Sequence, residues 1–220
     1  MRVTGDLVER PSRIAAAVFD YDGVISDTER PKCIYTQRQL ALNGVSLSDE
    51  EAFSLCGGDD TKTVPVLLAR HGSSMTFDEF LWITADIDSV YAEGDIEPSP
   101  GIVAFIRQLR KRGLRIGIAS STRTEHLLVA NERMGISDLF DAVVGGDMVE
   151  TIKPAPDVYL MTLRRLGVPA EEAVAFEDSP FGIEAAQAAG IYTFGYRGGP
   201  IPLDTSGADE QIDTFEGFAL

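Results

Sequence analysis

The sequence has only two cysteines, two histidines and one tryptophan, and its 19 Lys and Arg face 35 Asp and Glu. Cys33 and Cys56 are too few for a disulfide framework and lack histidine at metal-ligand spacing, so both are expected to be reduced, half-buried packing residues. His71 and His126 have no catalytic partner in view and are expected at caps or on the surface. The formal net charge of −16 would repel a nucleic-acid backbone or an anionic membrane, and neither is expected as a partner. No apolar run approaches the roughly 20 residues of a membrane helix. Residues 1–13 mix charges without a continuous apolar segment, so they are not expected to be a secretory signal. These absences predict a cytoplasmic protein, expected as a monomer, in which an anionic small substrate needs a cation and a few placed Lys or Arg.

What is present is a pattern of alternating elements in 220 residues, enough for a core with a smaller companion. Residues 15–19 read as a buried parallel strand that stops at two carboxylates, Asp20 and Asp22, followed by Gly23 for a sharp turn. The pattern then stays helical to about residue 95, with capping boxes at Ser48–Glu51 and Thr76–Glu79. Phe77, Phe80, Leu81, Thr84, Ile87 and Tyr91 keep one helical period, and Trp82 lies off that stripe, facing a crevice or packing between domains. Pro98 and Pro100 mark a return hinge over residues 94–101, with Ser99 as cap and Pro100 at the first position of a helix running up to Gly113. Strands at 114–119, 140–144, 173–176 and 191–194 then alternate with helices at 125–134, 155–166 and 180–189. Residues 208–220 read as a last strand and a helix start. The expected fold class is α/β: a Rossmann-like parallel sheet core with helices on both faces, plus a small all-helical domain inserted after the first strand. The core takes residues 1–26 and 98–220, the insert residues 27–97.

In an open parallel sheet, ligands bind at the carboxyl ends of the strands. Alone, Asp-x-Asp-Gly also closes strands as an ordinary turn. Here three further strands or loops bring polar groups to the same edge. Ser120 is followed by Ser121, Thr122 and Arg123 at a helix start suited to an anion. Lys153 is held on a loop stiffened by Pro154 and Pro156, and Glu177-Asp178-Ser179 closes another strand. Clustered carboxylates repel one another without a cation, so a hard divalent ion with oxygen ligands is expected, Mg²⁺ foremost.

Asp20-Tyr21-Asp22-Gly23-Val24, Ser120, Lys153-Pro154 and Glu177-Asp178-Ser179, in that order, resemble the four motifs of the haloacid dehalogenase-like superfamily, in its aspartate-nucleophile phosphatase and β-phosphoglucomutase-like branch. The resemblance covers nearly the whole chain and makes the helical insert a cap domain. It implies that Asp20 takes up a phosphoryl group from a phosphate ester, and that Asp22 protonates the leaving alcohol and later deprotonates water. Such a role needs an Asp22 pKa raised towards neutrality, which burial under a cap could provide. It also implies metal ligation by the Asp20 carboxylate, the Asp22 backbone carbonyl and Asp178, with Glu177 direct or through water. Ser120 would hold a phosphoryl oxygen, Lys153 would neutralise charge, and residues 23–27 would be the flexible link. Implied substrate contacts are Gly23, Ser121, Thr122, Arg123, Lys32 and Asp60. Members resembling β-phosphoglucomutase carry Arg where Cys56-Gly57-Gly58-Asp59-Asp60-Thr61-Lys62 offers Asp60, and many carry His at Lys32. The expected activity is therefore Mg²⁺-dependent hydrolysis of a small phosphorylated metabolite, sugar phosphates included. The alternatives are a phosphosugar mutase and a non-catalytic phosphometabolite-binding protein.

Overall fold

The computed structural model describes residues 9–55 and 60–220; Cys56, Gly57, Gly58 and Asp59 lie outside the described residues. Among these, six strands form one sheet: β1 (Ala16–Phe19), β2 (Arg115–Ala119), β3 (Ala142–Val144), β4 (Ala173–Glu177), β5 (Tyr192–Tyr196) and β6 (Glu210–Ile212). The order is β3-β2-β1-β4-β5-β6 and every neighbouring pair is parallel. The chain leaves β1 in one direction to build β2 and β3 and crosses to its other side for β4 to β6. The carboxyl end of β1 therefore sits at the topological switch point, where side chains from both halves meet.

The central strand β1 and most of β2 to β5 are apolar because both faces are covered, whereas the edge strand β6 reads Glu-Gln-Ile. Ala17 and Phe19 point into one buried cluster with Phe105, Ile106, Leu127 and Ala130, from α6 (Ile102–Lys111) and α7 (Thr124–Arg133). Ala16 and Val18 point into another with Tyr159, Leu163, Ala185 and Ala186, from α8 (Asp157–Leu166) and α9 (Pro180–Ala188). Phe19, Phe176 and Phe194 are register partners across β1, β4 and β5 and stack with centroid separations of 4.8 and 5.1 Å. This aromatic ladder lies directly beneath the strand ends and fixes their relative height.

Between β1 and α6 lie α1 (Glu29–Leu42), α2 (Asp49–Phe53), α3 (Asp60–Arg70), α4 (Phe77–Ile83) and α5 (Ser89–Glu93). Leu40, Val45, Val64, Leu68 and Phe80 make a separate small core there. Both predicted capping boxes form, Ser48 with Glu51 and Thr76 with Glu79. The single helical period read from Phe77 to Tyr91 is broken into α4 and α5. The Thr84 hydroxyl donates to the Phe80 carbonyl, and Ile87 and Ser89 close tight turns onto Thr84 and Asp86. Consequently Val90 and Tyr91 pack with the sheet and not with the helical cluster.

Other boundaries differ too. α6 begins at Ile102, preceded by Gly101 in the left-handed conformation with φ +78°, and not at Pro100. No helix follows β6: Phe215 and Phe218 are drawn instead onto Phe105 and Phe176. Trp82 is 79% exposed on α4 and neither faces a crevice nor packs between domains. Cys33 is fully buried, more than the half-burial expected of it. No helix among the described residues is long and apolar enough to cross a membrane.

Candidate active site

The pairing Phe19↔Phe176 puts Asp20 and Glu177 side by side, with the Asp20 amide donating to the Phe176 carbonyl at 2.9 Å. One carboxylate oxygen from each of Asp20, Glu177 and Asp178 lies within 4.8 Å of the others, and all three residues are buried. Lys153, from the loop before α8, donates to Asp20 Oδ1 at 2.5 Å and to Glu177 Oε1 at 2.6 Å. Glu177 has no solvent exposure; it also accepts from the Tyr159 hydroxyl at 2.7 Å and the Ser179 hydroxyl at 3.2 Å. Both its oxygens are thus engaged by protein donors, and it holds Lys153 against Asp20.

Two glycines make room for this packing. A Cβ on Gly182 would lie 1.9 Å from Glu177 Oε1, and one on Gly23, whose φ is +81°, 2.0 Å from Asp178 Oδ2. Gly23 therefore permits the approach of Asp178 as well as the turn.

Asp22 forms a second group. Its Oδ1 accepts from the Thr28 and Tyr91 hydroxyls and, at 3.1 Å, from Lys32 Nζ. Its Oδ2 accepts from the Thr122 hydroxyl at 2.8 Å and lies 3.4 Å from Ser120 Oγ. Ser120 Oγ in turn accepts from the Thr122 amide at 3.0 Å, and Lys32 also pairs with Glu29 at 3.0 Å.

The two groups have opposite charge balance. Burial and the neighbouring Glu177 push Asp20 up to about 8, against the pull of Lys153. Burial and the charges on Asp20 and Glu177 raise Asp178 in the same way. Burial also works against ionised Asp22, but Lys32 and the hydroxyls of Thr28, Tyr91 and Thr122 outweigh it and hold its pKa at about 2. The expectation of an Asp22 pKa near neutrality is therefore corrected for this form: burial came with a cation and three hydroxyl donors.

Not every expected residue converges. Lys32 contacts the carboxylates of Asp22 and Glu29, and Thr122 is engaged by Asp22 and Tyr91. Arg123 is exposed and paired with Glu125 at 2.8 Å, Ser121 is exposed on the loop, and Asp60 is exposed at the start of α3, lining a cavity with Glu29 and Lys32. His71 bridges to Glu51 at 2.9 Å, and His126 stacks on Tyr91. Tyr91, Tyr159 and Thr28 were not foreseen; aromatic residues on an apolar stripe read as core, and nothing in the spacing announces their hydroxyl ends.

The donor set suits a hard divalent cation: oxygen ligands only, three buried carboxylates against one ammonium, and two of those carboxyls raised by burial and by their carboxylate neighbours. Asp178 makes no side-chain hydrogen bond among the described residues, which leaves its oxygens available for such an ion.

A family model described as haloacid dehalogenase-like hydrolase matches residues 17–196. The chain belongs to this family. The hydrolase is 30% identical over 178 residues to a phosphorylated carbohydrates phosphatase of Thermotoga maritima, covering 80% of this chain and 82% of that protein. It is 32% identical over 226 residues to protein CbbY of Cereibacter sphaeroides, covering 92% and 93%. The crystal structure of CbbY from Rhodobacter sphaeroides in complex with xylulose-(1,5)-bisphosphate superposes with a TM-score of 0.70 at 29% identity, covering 92% of this chain and 95% of that one.

Proposed function

We propose that this hydrolase is a Mg²⁺-dependent phosphatase of a small phosphorylated metabolite, a sugar phosphate foremost, working through a phosphorylated Asp20. The observation that carries the proposal is Asp20 held at the switch point between Lys153 and Asp178, with the Asp22 group beside it. The phosphorylated carbohydrates phosphatase among its relatives supports a sugar-type ester.

In the first step an Asp20 carboxylate oxygen attacks phosphorus in line, and the ester oxygen departs with a proton from Asp22. Lys153 shields the incoming carboxylate from the phosphate charge, and Ser120 holds a phosphoryl oxygen. In the second step water attacks the phosphorylated Asp20, gives its proton to Asp22 and releases phosphate. Asp20, Asp178 and the Asp22 carbonyl would hold Mg²⁺, which would supply charge neutralisation for the transferring group. Asp22 with a pKa of about 2 is a carboxylate, the state the second step needs. Acting as the acid in the first requires loosening of the Lys32 and hydroxyl contacts that hold it ionised.

Residues 27–97 form the cap in this reading, with α5 as its fixed foot. Arg133 of α7 donates to the carbonyls of Tyr91 and Gly94, both at 2.9 Å, and ties that end to the sheet domain. Screening purified protein with Mg²⁺ against a panel of phosphorylated metabolites tests the proposal. Free phosphate released from sugar phosphates, abolished by EDTA and by Asp20→Asn, is the expected result; turnover that survives either treatment refutes it.

A further inference from the structure

A cavity of about 940 Å³ lies on a different face of α1 from Lys32 and is separate from the candidate active site: Asp20, Asp22, Ser120, Lys153 and Asp178 do not line it. One wall is α1, through Ile34 and Tyr35; the facing wall is α5 and the sheet domain, through Val90, Pro100 and Pro200. Between them run the two chain crossings that join the helical insert to the sheet domain. They pair with each other, the Ser99 amide donating to the Ile25 carbonyl at 2.8 Å and Ser26 Oγ to the Glu97 carbonyl at 2.9 Å. The lining is unevenly charged. Asp86, Glu93, Asp95 and Glu97 belong to it, and their carboxylates make no ion pair or hydrogen bond among the described residues. Arg30 is engaged by Asp27 at 3.5 Å, which leaves Arg38 as the remaining cation among the described lining residues. Ser99, expected from sequence as a helix cap, makes no cap; it is 8% exposed, lines the cavity, and its hydroxyl has no hydrogen-bond partner among the described residues.

We infer that this cavity is a second binding site, for an aliphatic polyamine, and that a bound polyamine slows turnover by restraining α1 against the sheet domain. The volume falls within the roughly 300–1,000 Å³ of small-molecule sites. Unpaired carboxylates beside apolar surface match a chain of ammonium groups separated by methylenes: the ammoniums pair with Glu93, Asp95 and Glu97, the Ser99 hydroxyl accepts from one of them, and the methylenes lie on Ile34 and Pro98. An anion meets those carboxylates as like charges, and a neutral ligand leaves them unused. Because the two walls belong to different parts of the fold, the cavity changes shape whenever α1 moves. A ligand that fits it therefore binds one arrangement better and shifts the population towards it. The inhibition rests on the cap reading above, in which substrate enters and product leaves as α1, carrying Lys32, swings away from Asp22 over the fixed foot α5. The binding does not rest on it.

The test is isothermal titration calorimetry of the full chain with spermidine, at matched ionic strength and in saturating Mg²⁺ so that the acidic cluster at Asp20 does not compete. Saturable binding is expected, with n-butylamine at least about tenfold weaker. Asp95→Asn combined with Glu97→Gln changes two exposed residues and removes little of the net charge of −16, yet is expected to weaken spermidine binding at least about tenfold; Ser99→Ala is expected to weaken it several-fold. With a saturating ester from the metabolite panel above, spermidine is expected to lower kcat several-fold in the parent and to leave the double variant unaffected. Spermidine bound equally by parent and double variant, or no better than n-butylamine, overturns the site, since general attraction to an acidic surface then explains the binding. Binding that leaves kcat unchanged, or raises it, overturns the restraint on α1. If no ester in the panel is hydrolysed, the phosphatase reading falls and the inhibition with it, while the calorimetry still decides the site.

Discussion

Gly182→Ala is the sharpest probe of how the site is assembled, because helix propensity and local packing predict opposite signs. Gly182 lies within α9, where replacing glycine by alanine ordinarily stabilises by about 1 kcal/mol. Here the new methyl would sit 1.9 Å from Glu177 Oε1 and 2.0 Å from its Cδ. Glu177 has 0% exposure and both its oxygens are already engaged, so moving away from the methyl breaks its contacts with Lys153 at 2.6 Å and Tyr159 at 2.7 Å. Two hydrogen bonds to a buried charge at roughly 1.5–3 kcal/mol each, less the propensity gain, make a net loss of about 2–5 kcal/mol. Lys153 also loses its second anchor, and turnover is expected to fall at least about tenfold as it drifts from Asp20. Urea unfolding read by circular dichroism gives the first quantity and phosphate release the second. A variant as stable as the parent, with unchanged turnover, would show that Glu177 does not hold the site together.

Tyr159→Phe removes one donor to Glu177 without a clash and is expected to cost about 1–3 kcal/mol by the same urea assay, with a smaller loss of turnover than Gly182→Ala; a neutral effect on both would contradict the role given to its hydroxyl. Gly23→Ala forces a side chain to φ +81° and into Asp178, so Mg²⁺ affinity, measured by the concentration that half-restores activity, is expected to weaken at least about tenfold, and unchanged affinity would refute the argument. The pH dependence of metal stabilisation has a definite sign. Burial and the neighbouring Glu177 raise Asp20 from the ordinary carboxylate value of 3.8 to about 8 in the folded, metal-free protein. Folding then holds its proton more tightly, and this residue's contribution to stability is lost as pH climbs through that window. The rise in Tm on adding Mg²⁺ is therefore expected to be larger at pH 8 than at pH 6, and a larger rise at pH 6 would contradict it.

The core of the fold was legible because buried parallel strands are written as short apolar runs with polar stops, and β1, β2 and β4 follow that rule closely. Asp20 and Asp178 could be gathered from sequence for the same reason, since each follows directly on a strand whose end faces the switch point, and Lys153 stood out on the loop stiffened by Pro154 and Pro156 before α8. Boundaries within the helical insert were less legible. The apolar period from Phe77 to Tyr91 continues across a break made by Thr84, and periodicity alone does not reveal that Tyr91 has changed partners from one core to another. The state of Asp22 was misjudged because burial was foreseen but its donors were not. Thr28, Lys32, Tyr91 and Thr122 reach it from four separate places in the chain, and two of them look like ordinary helix or core residues. The tail misled in a similar way: residues 208–220 read as a last strand and a helix start, yet after β6 Phe215 and Phe218 pack on Phe176 without forming a helix.

The central claim is that the carboxylate of Asp20, and no other group, receives the phosphoryl group from substrate. Quenching the protein during steady turnover of a sugar phosphate, reducing with borohydride and mapping the peptides tests it directly, since reduction of an acyl phosphate leaves a permanent mark on the residue that carried it. The account predicts that mark at Asp20, lost when Mg²⁺ is withheld. A mark on a different residue, or an unmodified Asp20 in protein that is releasing phosphate, would contradict it.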